Sequence, residues 1–138
     1  MRSFLPILFV AALSTGQANA AQPVEGLWRN PIGSAIIRVT PCGNLLCGTV
    51  VWASARGEAE VAKHTSHVVG TIVLTGVKRT ASNRWTGHLY IPDDNIHVSA
   101  RLELESSRDL KLTGCGLIGL ICRTQTWTRV DEPLPPSG

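Results

Sequence analysis

The chain has 138 residues and a formal net charge of +3, from 13 Lys and Arg against 10 Asp and Glu. So small and scattered a charge excludes a nucleic-acid footprint. No run reaches the roughly 18 apolar residues of a membrane-spanning helix.

In chain order the first signal concerns export. Arg2 precedes an apolar stretch over residues 4–13, too short to span a bilayer. Ala18-Asn19-Ala20 then offers the small-x-small pattern of a signal-peptidase site. Residues 1–20 are therefore expected to be a signal peptide cut between Ala20 and Ala21, leaving a periplasmic or secreted chain of 138 − 20 = 118 residues. No Leu-x-x-Cys lipobox follows the apolar stretch of the leader. That length suits one domain, read as residues 21–130, followed by a proline-rich acidic tail, 131–138, expected to be flexible.

Strand-like runs recur across the mature part, at about 25–30, 34–41, 47–54, 70–78, 84–91, 96–105, 110–116 and 121–130. The clearest is IHVSARLELE. Ile96, Val98, Ala100, Leu102 and Leu104 share one face and His97, Ser99, Arg101, Glu103 and Glu105 the other, the period of a half-buried strand. Most connections are hairpin-short. The exception, residues 55–69, is polar and has room for a helical turn. The inward face of 70–78 does not emerge from the alternation. Eight such strands close most economically into an up-and-down antiparallel barrel, because closure removes the edges. The charged outward row excludes a membrane barrel.

Cys42, Cys47, Cys115 and Cys122 all lie in the exported part, where an even count reads as disulfides. In an up-and-down barrel the hairpin between strands 2 and 3 lies at one end and that between strands 7 and 8 at the other. Bridges between hairpins would exceed the reach of about 7 Å between Cα atoms. The expected pairs are Cys42–Cys47 and Cys115–Cys122. Their spacing, without a nearby histidine, argues against zinc, and no Cys-x-x-Cys suggests redox catalysis. No metal and no cofactor is expected.

With both bridges outside, Ile37, Val39, Val50 and Trp52 face inward, as do Arg123, Gln125, Trp127 and Arg129. Pairing strands 5 and 6 through the PDDN turn sets Trp85 opposite Leu102, also inward. The tryptophans then either fill the barrel or line a calyx. In the second case Arg123 and Gln125, polar and inward near the mouth, would hold the polar head of a small amphiphile lying against Trp52, Trp85 and Trp127. His64 and His67, three apart in the long loop, make too small a set for a metal site. The PDDN turn offers no cleft for its carboxylates, and no catalytic motif appears, so no enzyme is expected.

Glu25-Gly26-Leu27-Trp28 resembles the first motif of the lipocalins and their calycin relatives. In those families the tryptophan plugs the closed end beneath a basic side chain from the last strand, which implies Trp28 under Arg129 here. GLWRNPIGSAIIRVTPCGNLLCGTVVW, RWTGHLYIP and RTQTWTR together resemble a secreted bacterial family, domain of unknown function 2147, over about residues 25–130. PCGNLLCG and TQTWTR are its most specific pieces. The resemblance implies an exported lipocalin-like barrel and no established activity. This chain has HTSHVVG where many members carry an Asn-Pro-Asp and Arg-Pro-leucine stretch, and its GCGLIGLIC pair looks like that of a subgroup. The expected function is non-enzymatic binding of a small apolar or amphiphilic ligand in the cell envelope. The alternative is a filled barrel that dimerises or meets an envelope partner through the 116–121 loop, with Leu117, Ile118, Leu120 and Ile121.

Overall fold

The computed structural model describes residues 5–11, 21–62, 67–116, 120–131 and 133–136. The eight strands are β1 (Gly26–Arg29), β2 (Ala35–Cys42), β3 (Leu45–Ala53), β4 (Ile72–Ala81), β5 (Arg84–Ile91), β6 (Ile96–Leu104), β7 (Asp109–Gly116) and β8 (Ile121–Val130). Each pairs antiparallel with the next, and β1 with β8, so the sheet closes in simple sequence order. One helix, α1 (Ala55–Val61), follows β3. Residues 5–11 are exposed throughout.

The expected registers hold on β5 through β8. Trp85 faces Leu102, Leu89 faces Val98, and Leu110 and Leu112 face Trp127 and Gln125. Both expected bridges are present, Cys42–Cys47 with Cα atoms 5.5 Å apart and Cys115–Cys122 at 4.1 Å. Only the second joins directly opposed residues; the first is diagonal, because Cys47 stands opposite Thr40.

Two irregularities explain what the alternation misses. The β2–β3 register slips between Ile36 and Ile37, so Val50 pairs with Ile37 but Trp52 pairs with Ile36. The extra residue, Val51, turns Trp52 to the outer wall, while Val50 and Ala53 stay in the core. The inward assignment of Trp52 is thus corrected: a bulge inserts one residue and reverses the faces beyond it. On β4 the register shifts between Thr75 and Lys78, where Gly76 has φ +57°. Val73, Leu74 and Val77 all enter the core there, a spacing that simple alternation cannot produce.

The end at which β1 begins and β8 finishes is plugged. Trp28 is fully buried and its Nε1 donates to the Val24 carbonyl at 2.8 Å. The Arg129 guanidinium lies 4.2 Å from the centre of that indole, a cation–π distance. Its Nε donates to the Ser107 carbonyl at 2.7 Å, Nη1 to Glu25 at 2.9 Å and Nη2 to Pro23 at 2.6 Å. One side chain therefore ties β8 to the β6–β7 turn and to the chain entering β1. Gly26 makes room for it. A Cβ there would stand 2.7 Å from Arg129 Nη1, and its φ of +123° already disfavours any other residue. Burial, then the neighbouring Arg108 charge, pulls the Arg129 pKa below its ordinary value; the group stays charged at neutral pH all the same.

Arg108 in turn binds Asp131 at 2.9 Å. This hydrogen bond, followed by the charge of Arg108, holds the Asp131 carboxyl below its usual range. The contact is present at neutral pH and is lost as pH falls through that lowered value.

The plug depends on the shape of the guanidinium. Arg129→Met is expected to lower unfolding stability in urea by about 2–3 kcal/mol, the scale of hydrogen bonds to a charged group. Arg129→Lys should recover less than half of that, since an ammonium cannot reproduce the planar fork. Full recovery by lysine would reduce the plug to a simple charge.

Candidate functional site: the cavity at the open end

The opposite end is roofed, not plugged. Asn30 organises the β1–β2 connection, its Oδ1 accepting from the backbone of Ser34 at 2.9 Å and of Ala35 at 3.1 Å. The Ser34 carbonyl accepts from Ser54 N at 2.9 Å. Ser54 then caps α1, its side chain accepting from Gly57 N at 3.1 Å. A Cβ on Gly57 would stand 2.5 Å from the Ser34 carbonyl, so only glycine lets the helix lie this close. The result aims Val61 into the barrel, and Val68, just before β4, follows it; both are buried.

Beneath this roof is a cavity of about 250 Å³. Ile37, Val50, Val73 and Leu89 supply apolar wall, and Gln125 and Trp127 line it from β8. The rest of the interior, towards the plug, is packed by Trp28, Trp85, Leu102 and Leu110. The barrel is filled at one end and hollow at the other.

The residues singled out from sequence divide accordingly. Gln125 and Trp127 are brought together at the cavity. Arg123 sits opposite Gly114 on the inward row, whose added Cβ would meet Val98 and Leu89. Its side chain is exposed at the mouth, beside a cleft that shares Gln125 with the cavity. Arg123 is thus a rim group and not the enclosed guanidinium expected, because the strand reaches the end of the barrel before its side chain is covered. Trp85 belongs to the plugged half, its Nε1 donating to Gln22 Oε1 at 2.8 Å. Trp52 stands outside. The roof residues Val61 and Val68 escape sequence reasoning, although the valines inside an otherwise polar loop, Val61, Val68 and the exposed Val69, are the signal that could have found them.

The Trp127 Nε1 is buried and has no hydrogen-bond partner among the described residues. An unsatisfied buried donor costs about 1–3 kcal/mol. The other buried indoles, Trp28 and Trp85, are both satisfied.

Around the mouth the loops and the first residues of β4, β6 and β8 carry exposed aliphatic side chains: Ile32, Val69, Ile72, Ile96, Leu120 and Ile121. Leu120 is 85% exposed. Leu117 and Ile118 lie outside the described residues, and so does His64. His67 is exposed. His97 stacks on Tyr90 on the outer wall, with ring centres 4.7 Å apart.

A family model described as "Uncharacterized protein conserved in bacteria (DUF2147)" matches residues 26–129. The chain belongs to the DUF2147 family. Both motifs that carry the resemblance, PCGNLLCG and TQTWTR, fall within the match. A solved structure titled "Protein HP1028 from the human pathogen Helicobacter pylori belongs to the lipocalin family" is similar in fold, with a TM-score of 0.63 and 14% identity over 81% of this chain and 86% of that one. At that identity the likeness concerns the fold alone: a lipocalin-like, eight-stranded barrel. Among curated proteins nothing matches.

The Cys115–Cys122 bridge fixes β7 to β8 one residue from Arg123. Replacing both cysteines with alanine should cost about 2–3 kcal/mol in urea unfolding, on the loop-entropy scale. Amide exchange should quicken at Arg123 and Gln125 and stay unchanged around Trp28. A loss spread evenly over both ends would show that the bridge supports the whole barrel and not the mouth.

Proposed function

We propose that this DUF2147 protein is exported into the cell envelope and binds a compact, largely apolar or amphiphilic molecule in the cavity under α1, without catalysis. The observation that carries the reading is the cavity itself, roofed by a helix at the one end of the barrel that is not packed solid. Its 250 Å³ exceeds the roughly 150 Å³ apolar cavity that accepts benzene. It falls just short of the roughly 300–1,000 Å³ pockets of drug-sized ligands. A single-ring or short-chain molecule fits that range. Its apolar body would lie against Leu89, Val73 and Trp127 and its polar end towards Gln125 and Arg123. An oxygen on the occupant would also relieve the unsatisfied Trp127 N–H.

Export is supported by the leader-like residues 1–20 and by the two disulfides, which fit an oxidising compartment. Among the described residues no helix is long and apolar enough to cross a membrane. A second reading, in which the protein dimerises or meets an envelope partner through the 116–121 loop, draws on the exposure of Leu120 and Ile121. Concentration-dependent light scattering that vanishes in Leu120→Ser/Ile121→Ser would favour it.

Titration of hexanoate and its neutral isostere hexanamide, followed by tryptophan fluorescence, tests the binding reading. Hexanoate is expected to bind, with about fivefold weaker affinity in Arg123→Ala, the scale of an exposed charge contact of about 1 kcal/mol. Equal affinity in the variant removes Arg123 from the site. Absence of binding by both probes and by benzyl alcohol would contradict the reading.

A further inference from the structure

The outer wall of β1–β3 holds a second feature that the cavity does not use. Leu27 and Ile36 are 3% and 0% exposed, yet neither belongs to the interior cluster. The registers set Leu27 opposite Arg38 and Val130, and Ile36 opposite Arg29 and Trp52. These are outward rows, so something outside the sheet covers them. On the same wall the Trp52 Nε1 donates to the Pro136 carbonyl at 3.1 Å, and Leu134 and Pro135 are half-buried.

Chain chemistry dictates the shape of that segment. Each proline fixes φ near −65°, and a residue before proline is pushed to extended backbone. Pro133-Leu134-Pro135-Pro136 is thereby directed into a polyproline II helix, which makes no internal hydrogen bonds and leaves its carbonyls available. Its reach fits the distance. From β8 to β3 is three strand spacings, about 14 Å, and Trp52 lies on the row of Thr128, Arg29 and Ile36, three residues or about 10 Å back along the strands from Asp131. From Asp131, held by Arg108, to Pro136 is 136 − 131 = 5 residues, about 15 Å at the polyproline rise. The chain bends at Pro133 and meets the Trp52 side chain at Pro136, and the oblique path between Asp131 and Trp52 leads over the outer rows of Leu27 and Ile36.

We propose that the outer face of β1–β3 around Trp52 is a docking site for a proline-rich extended segment, filled in this protein by its own residues 133–136. An indole N–H bonded to a carbonyl of a polyproline helix, beside an apolar groove, is the chemistry by which unrelated domains recognise such peptides. A proline-rich segment from elsewhere gains the site only by displacing the tail. The tether gives the tail an effective concentration in the millimolar range, so micromolar competitors fail while it is intact.

The test uses the full chain and the NMR signals of its tryptophan indoles, with Trp52 identified through Trp52→Phe. In Leu134→Ser/Pro135→Ser, the Trp52 indole should shift and exchange with solvent at least tenfold faster, while those of Trp28 and Trp85 stay in place. A synthetic peptide of residues 131–138 at millimolar concentration should restore the Trp52 signal in the variant and leave the unsubstituted chain unchanged. A Trp52 signal identical in both proteins would overturn the proposal. So would a freed Trp52 that the peptide does not shift.

Discussion

The architecture depends on one guanidinium. A barrel of eight strands closes only if the last strand finds the first, and β1 has just four residues with which to hold β8. Arg129 supplies what the short ladder lacks, bonding to backbone before β1 and after β6 while covering the face of Trp28. The glycine of the Gly-x-Trp motif acquires a physical reason from this arrangement. It is the space that Arg129 occupies.

Because one end is secured by packing, the other is free to be hollow. Trp28, Trp85 and the leucines of β6 and β7 fill the barrel around Trp127. Towards the mouth the cavity opens between the walls, and α1 covers it with Val61. The cost of an incompletely filled interior falls at the mouth, together with the unsatisfied Trp127 N–H. Plug and cavity thus occupy opposite ends of one cylinder, each with its own disulfide: Cys42–Cys47 beside the plug and Cys115–Cys122 beside the mouth.

Most of the fold was legible in the sequence because β5–β8 obey strict alternation, and two cysteine hairpins gave independent checks on register. What was not legible follows from single residues. Val51 is surplus to the β2–β3 ladder, and nothing in TVVWA marks it as such, since three of its residues suit either face. Trp52 therefore looked like calyx wall when it is outer surface. Gly76 conceals the inward face of β4 in the same way. Of the five ligand candidates, Gln125 and Trp127 line the cavity, and their place on the inward row was legible because their strand is regular. Arg123 was placed on the right row, but its exposure depends on where the barrel ends, and alternation carries no information about that. The proline-rich, acidic composition of the tail suggests flexibility, and it carries no periodicity that would foretell the contact between Trp52 and Pro136.

The proposed role of the cavity under α1 can be tested directly. Amide and side-chain NMR of the full chain, recorded while benzyl alcohol is added, reports every residue at once. Saturable shifts centred on Leu89, Gln125, Trp127 and Val61, with the Trp28 end unmoved, are the predicted result. Shifts confined to the outer wall, or none up to the solubility limit of the probe, would contradict it.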